Sequence, residues 1–214
     1  MVPSPSSSAA SGAPVSALAD RPVCFQGNAW VAWLLRRMGW MVCFDGLPAR
    51  QGVIVVAPHT SNWDFVIGLL VKWATGIQAR FWAKHTLFAW PLFGRWLRWL
   101  GGVPIERSRA HGVVSATAEA MARARENGEL FWLAVTPEGT RKRTEGWRSG
   151  FYHLALQAGV PVGVAVLDFG RRRIVLQQFI DLTGDAEADV ARIAACFEGV
   201  RGCCADQAAP VRLR

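Results

Sequence analysis

The chain has 214 residues, of which 51% are hydrophobic, and it carries a formal net charge of +8 with an isoelectric point near 10.1. This length and composition are enough for one domain with a sizeable core, and the absence of any uncharged apolar run of about 18 residues argues against a membrane-spanning helix. The positive charge favours anionic partners, from lipid headgroups to nucleic acid, but charge alone does not choose among them.

The first 22 residues are predicted to form a disordered tail. This stretch is rich in Ser, Ala and Pro, and it has neither the basic start nor the continuous apolar core of a signal peptide. One domain is then predicted over 23–205, followed by a C-terminal tail over 206–214.

Strand-like and helix-like patterns alternate along the domain. Strands are predicted near 52–57, 80–84, 102–106, 130–136, 161–168 and 173–180, and helices near 62–75, 91–100, 110–127, 148–158 and 186–200. This alternation predicts an α/β fold with a largely parallel central sheet that helices cover on both faces.

Tryptophan is unusually frequent, since the chain has 11 Trp and only one Tyr. Two stretches, Trp30–Trp40 and Trp90–Leu100, place Trp beside Arg. Trp favours the membrane interface, where its apolar ring and its N–H are both accommodated. The two stretches therefore predict amphipathic helices that contact a membrane surface, with ordinary packing against the core as the alternative.

His59 and Asp64 lie five residues apart, just after the apolar run 53–57. A strand over this run would deliver His59 to the loop before a helix, at the carboxyl edge where open α/β sheets place their sites. His can remove a proton from a hydroxyl near neutral pH, and a carboxylate can hold its other ring nitrogen. The pair suggests a general base whose nucleophile comes from the substrate. The alternative is a surface His beside an Asp that stabilises a helix N-terminus.

Two more apolar runs end in polar residues. The run 131–135 leads into Thr-Pro-Glu-Gly-Thr-Arg at 136–141, with Lys142 and Arg143 next, and the run from 101 ends in Glu106 and Arg107. Guanidinium groups suit phosphate. If the strands are parallel, these ends converge on one site.

Four blocks in this order resemble the 1-acyl-glycerol-3-phosphate acyltransferase family of lysophospholipid and glycerolipid acyltransferases. The blocks are His59–Asp64, Val103–Arg107, Pro137–Arg141 and Val160–Val164, and the resemblance covers about residues 30–170. Lys84 and the residues after it also match the approach to the second block.

The resemblance implies a role for each matched residue. His59 would deprotonate a glycerol hydroxyl with Asp64 orienting it, and the oxygen would attack the thioester of acyl-CoA or acyl carrier protein without a covalent acyl-enzyme. Arg107 would hold the phosphate of the acceptor. The implied substrate-binding residues are Lys84, Arg107, Glu138, Gly139, Thr140 and Arg141.

Departures from the family pattern leave the acceptor open. Pro58 stands where Asn is common, Pro104 and Glu106 where Phe and Asp are common, and Thr136 where Phe is usual. The expected reaction is conversion of lysophosphatidic acid to phosphatidic acid on the cytoplasmic face of the cell membrane, by a peripheral protein. Alternatives are another lyso-lipid acceptor such as a lyso-aminolipid, thioester hydrolysis, or a non-catalytic basic protein that binds membranes. Nucleic acid is not an expected partner.

No metal or cofactor is expected, because the acyl donor is a substrate. The five cysteines are odd in number and lack zinc-like C-x2-C spacing, which argues against a disulfide framework and a structural metal site.

Overall fold

A computed structural model describes residues 23–105 and 110–214. The predicted tail over 1–22 and the candidate residue Arg107 lie outside the described residues. The helices are α1 (Ala29–Arg37), α2 (Asn62–Thr75), α3 (Pro91–Trp99), α4 (Ala110–Glu126), α5 (Gly150–Ala158) and α6 (Ala186–Ala195). The strands are β1 (Met41–Phe44), β2 (Gln51–Ala57), β3 (Ala79–Lys84), β4 (Gly102–Ile105), β5 (Phe131–Val135), β6 (Val162–Asp168) and β7 (Arg173–Ile180).

The strands form one sheet in the order β1-β7-β6-β2-β5-β3-β4. Strands β2 to β6 all run in one direction, whereas β7 returns beside β6 as an antiparallel hairpin and β1 runs parallel to β7. The prediction of a largely parallel sheet is confirmed. Its central strands are continuous apolar runs because both faces are covered, and β6 is buried at every one of its positions.

Helices lie on both faces of the sheet, as predicted. Side chains alternate across β2, so Val53 and Val55 join a core cluster with Met121 of α4, while Ile54 joins a cluster on the opposite face. Helix α6 packs on the α4 and α5 side through Ile193. Helix α1 packs against α2, and the right-handed crossovers from β2 to β3 and from β3 to β4 put α2 and α3 on the same face.

Exposed apolar side chains concentrate on the α1, α2 and α3 side. Of the 14 large hydrophobic residues that are exposed among those described, 12 lie in or beside these helices. The 12 are Trp30, Trp33, Met38, Trp63, Val66, Trp73, Leu87, Trp90, Leu92, Phe93, Trp96 and Trp99. We call this set the apolar face. None of the described helices is both long enough and apolar enough to span a membrane.

The last residues, which the sequence analysis assigns to a tail over 206–214, lie on the domain. Ala209 is buried in the main core cluster, and Val211 and Leu213 pack against it. Leu213 also pairs with Trp147 as an isolated bridge. These three residues alternate like a strand, so their side chains point to the core, and the packed domain continues past its predicted end at 205.

Two further boundaries differ from the prediction. Strand β1 is absent from the sequence-based assignment; it is a four-residue edge strand directly after α1, which itself ends before Gly39, a residue with φ +78°. Helix α6 ends at Ala195, five residues before the predicted end, and the chain then turns at Gly199, whose φ is +68°. This turn brings residue 201 back beside β6, where Phe169 N donates to the Arg201 carbonyl at 2.8 Å.

Candidate active site

The loop after β2 carries His59 into the start of α2. Ser61 is the N-cap of this helix and Asp64 is its third residue, and the two form a reciprocal capping box. Asp64 Oδ2 accepts from the backbone N–H of Thr60 at 2.6 Å and of Ser61 at 2.7 Å. The carboxylate is thereby fixed by the helix that it caps, and it is also favoured by the positive end of the helix dipole.

His59 and Asp64 are in direct contact. The distance from His59 Nδ1 to Asp64 Oδ2 is 3.2 Å, and the side chains are 15% and 2% exposed. The contact assigns the proton of neutral His59 to Nδ1, so that Nε2 keeps its lone pair for a substrate proton. A histidine that a buried carboxylate holds in this way can chemically accept a proton from a hydroxyl.

Glu138 holds the same loop from the neighbouring strand. Because β2 pairs in parallel with β5, the segments after both strands meet at one edge of the sheet. His59 N donates to both carboxylate oxygens of Glu138 at 3.2 Å. Burial raises the pKa of Glu138 to about 7; the Asp64 carboxylate adds to the rise, and backbone hydrogen bonds from His59 and Ala209 oppose it.

This geometry revises the expectation that Glu138 contacts substrate. Its side chain is 1% exposed and its partners are backbone groups of His59 and Ala209. Glu138 therefore ties the His59 loop to the C-terminal segment. Burying a carboxyl group among backbone donors is consistent with that role.

A cleft opens beside the Glu138 turn, with a volume of about 630 Å³. Gly139 lies on its wall with φ +68°, and a Cβ at this position would meet Nε of Arg148 at 2.8 Å, so glycine lets the guanidinium lie against the turn. The lining residues are Trp82, Ile105, Val113, Val114, Ser115, Val135, Thr136, Pro137, Gly139, Glu145, Arg148, Ser149, Gly150, Phe151, His153 and Arg214. The cleft thus has an apolar wall from the sheet, α4 and α5, and its polar lining residues include Arg148, His153 and Arg214.

The structure brings together only some of the predicted site residues. His59, Asp64 and Glu138 form one hydrogen-bonded group, and Gly139 lines the cleft. Thr140 lies in the turn, where its Oγ1 accepts from Lys142 N at 3.3 Å.

Arg141 and Lys84 are exposed and are not among the residues that line the cleft; Lys84 ends β3. Arg107 belongs to the undescribed segment after β4.

Sequence reasoning missed Arg148 and Arg214 as cleft residues. Arg148 lies in an irregular loop ten residues after Glu138, and its backbone N–H donates to the Pro137 carbonyl at 2.8 Å. Arg214 reaches the cleft because its N–H donates to the Trp147 carbonyl at 2.9 Å. A basic residue just before the start of α5 was the only sequence signal for Arg148, and no pattern marked Arg214.

No group of three or more His, Cys, Asp or Glu in residues 23–105 and 110–214 is arranged to hold a metal ion. The chemistry that the described side chains support is removal of a proton by His59, next to a cleft with cationic and apolar walls.

The sequence of this chain is similar to a known family model and to two curated enzymes. Residues 42–166 match the family model described as Acyltransferase. The 1-acyl-sn-glycerol-3-phosphate acyltransferase of Escherichia coli is 31% identical over 116 residues, which are 51% of this chain and 44% of that protein. The enzyme of the same name from Haemophilus influenzae is 31% identical over 134 residues, which are 59% of this chain and 52% of that protein. The chain thus spans about half the length of the curated relatives it matches.

A solved structure, the 1-acyl-sn-glycerophosphate acyltransferase PlsC of Thermotoga maritima, is 20% identical, with a TM-score of 0.46 over 76% of this chain and 70% of that one. The family model covers more than half of the chain, including β2, the His59–Asp64 pair and the Glu138 turn. This chain belongs to the acyltransferase family.

Proposed function

We propose that the protein transfers a fatty acyl group from a thioester, acyl-CoA or acyl carrier protein, to the hydroxyl of a lysophospholipid, and that it converts lysophosphatidic acid to phosphatidic acid. The observation that carries the proposal is the 3.2 Å contact between His59 Nδ1 and the buried Asp64 carboxylate, near a cleft that Arg148 and Arg214 line. The names of the curated relatives support the same acceptor.

In the proposed reaction, His59 Nε2 takes the proton of the acceptor hydroxyl as its oxygen attacks the thioester carbonyl carbon. Asp64 stabilises the imidazolium that forms. The tetrahedral intermediate then collapses, the C–S bond breaks, and the thiolate leaves as a thiol after taking the proton from His59. The step is balanced and requires no covalent acyl-enzyme and no further reagent.

The cleft supplies a place for the acceptor. We assign its phosphate to the Arg148 and Arg214 side of the cleft, because a guanidinium binds phosphate oxygens in a bidentate manner. The best-placed cation is Arg148, because its guanidinium lies against Gly139 on the cleft wall. The apolar wall would cover the carbon chain next to the headgroup.

The apolar face supports a peripheral position on a membrane, and we assign it to the cytoplasmic leaflet because that surface is anionic. Helix α1 ends in Arg36 and Arg37, and α3 carries Arg95 and Arg98 among its exposed Trp residues. Trp rings at the interface with Arg heads at the phosphates are a favourable arrangement for a helix that lies in the membrane plane.

The first prediction tests the base. His59→Ala should lower acyl transfer to lysophosphatidic acid about a thousandfold, since general-base catalysis contributes 10²–10⁴-fold. Asp64→Asn should also be strongly impaired, because the amide cannot stabilise the imidazolium. The measurement is product formation from acyl-CoA and from acyl carrier protein in mixed micelles, over a panel of lysolipids.

The exposed His85→Ala is the matched control for that experiment and should retain the parental rate. Equal transfer by His59→Ala would refute the mechanism. Loss of thioester without acylated lipid would show a hydrolase, and transfer only to a lyso-lipid without phosphate would refute the proposed acceptor.

The second prediction concerns Glu138 and pH. Its folded pKa of about 7 lies above the ordinary value of 4.5, so the neutral form stabilises the fold. This contribution is full below pH 4.5 and is lost as the pH rises through about 7. Glu138→Gln has no such loss, so between pH 4.5 and about pH 8 the free energy of unfolding should fall by about 3 kcal/mol more in the parent than in the variant.

Urea unfolding across this pH range measures that difference. The exposed Glu129→Gln controls for the removal of a carboxyl group and should follow the parent. A difference between parent and Glu138→Gln that does not change with pH would contradict a buried carboxyl group that ionises near neutrality.

The third prediction tests the acceptor cleft. Arg148→Ala should raise the KM for lysophosphatidic acid roughly tenfold with little change in kcat, since a charge-assisted hydrogen bond contributes about 1.5–3 kcal/mol. Arg123→Ala, an exposed arginine on α4, is the control. An equal rise in KM for a monoacylglycerol, which has no phosphate, would count against phosphate binding by Arg148.

The fourth prediction tests the apolar face. The double variant Leu92→Ser and Trp99→Ser removes side chains that are 82% and 72% exposed. Partitioning onto vesicles rich in phosphatidylglycerol should weaken about a hundredfold, because each large apolar side chain contributes about 1.5–3 kcal/mol when buried. Leu156→Ser, an exposed position on α5 across the sheet, should bind as the parent does. Equal loss in both variants would reject the assignment of this face.

A further inference from the structure

The segment Gly202–Cys204 lies directly against the loop that carries His59. A Cβ on Gly202 would meet Thr60 Oγ1 at 2.8 Å and Pro58 Cγ at 3.2 Å, so the Gly202 backbone lies as close to these two side chains as glycine permits. Cys204 N donates to Thr60 Oγ1 at 3.1 Å. Thr60 is buried and Cys204 is exposed, so this contact between residues 144 positions apart is partly shielded from water.

This contact continues to the catalytic pair through two more polar contacts. Thr60 accepts from Cys204 N through its hydroxyl and donates from its own N–H to Asp64 Oδ2, the same oxygen that contacts His59 Nδ1. The Cys204 backbone is thus three contacts from the imidazole. A displacement of the Cys204 backbone would change the position of Thr60. It would therefore also move the Thr60 N–H that donates to Asp64 Oδ2.

The side chains of Cys203 and Cys204 are both exposed. Neither thiol has a task in the proposed acyl transfer, although Cys204 lies near enough to Asp64 to sense its charge. Loss of solvent around the sulfur, the neighbouring Cys203 thiol and the Asp64 carboxylate raise the pKa of Cys204. Reagents in solution can therefore reach a pair of adjacent thiols beside the active-site loop.

We propose that Cys203 and Cys204 form a modification site, a vicinal dithiol that a small-molecule disulfide oxidises to a Cys203–Cys204 disulfide, and that closure of this ring lowers acyl transfer by displacing the backbone that supports Thr60. The proposed acyl transfer is needed only for the activity measurement. The Cys203–Cys204 disulfide and its effect on Thr60 can be observed without measuring any acyl transfer.

The chemistry is an ordinary thiol–disulfide exchange. The thiolate of one cysteine attacks the reagent disulfide, an S–S bond forms and one reagent thiolate leaves. The second cysteine then attacks the mixed disulfide and releases the second reagent thiolate. Two electrons pass to the reagent, and the two protons of the cysteines end on the two thiols released.

Ring closure must disturb the local backbone. Adjacent Cα atoms across a trans peptide are about 3.8 Å apart, whereas disulfide-bonded cysteines have Cα atoms about 4.4–6.8 Å apart. The peptide between Cys203 and Cys204 therefore has to distort, and Cys204 N is the donor to Thr60. The same strain makes the bond easy to reduce, so the modification is reversible.

The experiment treats the purified full chain with a large excess of oxidised glutathione, which offsets the strain of the ring, and then with dithiothreitol. We expect the parent to lose two hydrogens in intact mass, with the linkage mapped to the peptide that contains both cysteines. Acyl transfer should fall on the order of tenfold to a hundredfold, since small displacements of a catalytic group have effects of this size, and dithiothreitol should restore it. The amide NMR resonance of Thr60 should shift on oxidation and return on reduction.

Cys203→Ala is the critical variant, because it removes one thiol and leaves the Cys204 N–H in place. It should have the parental rate before oxidation and keep it afterwards, while Cys196→Ala, which retains the pair, should remain sensitive. Stable glutathione adducts without an internal disulfide, inhibition that persists in Cys203→Ala, or a disulfide that leaves both rate and Thr60 resonance unchanged would each overturn the proposal. If the parent transfers no acyl group, the intact mass and the Thr60 resonance still show whether the disulfide forms and moves Thr60. Failure of the proposed acyl transfer is therefore distinguishable from failure of the disulfide proposal.

Discussion

One oxygen atom, Oδ2 of Asp64, organises the centre of this protein. It accepts hydrogen bonds from the backbone N–H groups of Thr60 and Ser61, and it contacts the imidazole of His59. The spacing of five residues between His59 and Asp64 is what makes this possible: Asp64 must be the third residue of α2 to complete the capping box, and the chain before the cap must turn back far enough to present His59. The same atom therefore stabilises a helix end and orients the imidazole of His59.

A second buried carboxyl group, that of Glu138, interacts with Asp64. Glu138 lies close enough to Asp64 for the two charges to interact, and burial together with that charge raises the pKa of Glu138 to about 7. Burial and a neighbouring carboxylate both disfavour the charged form of Glu138, so Glu138 takes up a proton as the pH falls below about 7. In the proposed mechanism Asp64 stabilises the imidazolium of His59, and a protonated Glu138 still accepts from the His59 backbone through its carbonyl oxygen.

The sequence predicted the parts of the fold that local pattern determines. Apolar runs gave β2 to β7 within one or two residues, and capping residues gave the start of α2. The pairing of His59 with Asp64 was foreseeable because both residues lie in one short segment. The strand β1 was not foreseeable, because four residues at a sheet edge carry too weak a pattern.

Contacts between segments that are distant in the chain could not be predicted from the sequence. Nothing in the Pro-Glu-Gly-Thr-Arg block says that Glu138 is buried and bonded to the His59 backbone, since that depends on β5 lying beside β2. Likewise Arg148 enters the cleft through a loop geometry, and Ala209 enters the core through a segment whose alternation is short. The side of the sheet on which the apolar face lies follows from the right-handed crossovers. It could be predicted only if the strand order were known.

The fold also explains how a membrane-bound acceptor would meet the base. Trp63 is exposed and directly precedes Asp64, and Leu87 and Trp90 follow the carboxyl end of β3, so the apolar face reaches the edge of the sheet where His59 lies. In the proposed orientation a lysophospholipid keeps its chain in the bilayer while its headgroup crosses this edge. The hydroxyl and the phosphate of the acceptor are only a few bonds apart, so a phosphate held near Gly139 brings the hydroxyl toward the Glu138 turn, which contacts the His59 backbone. Under the proposed mechanism, holding the hydroxyl beside His59 makes the attack effectively unimolecular, so the substrate hydroxyl can serve as the nucleophile.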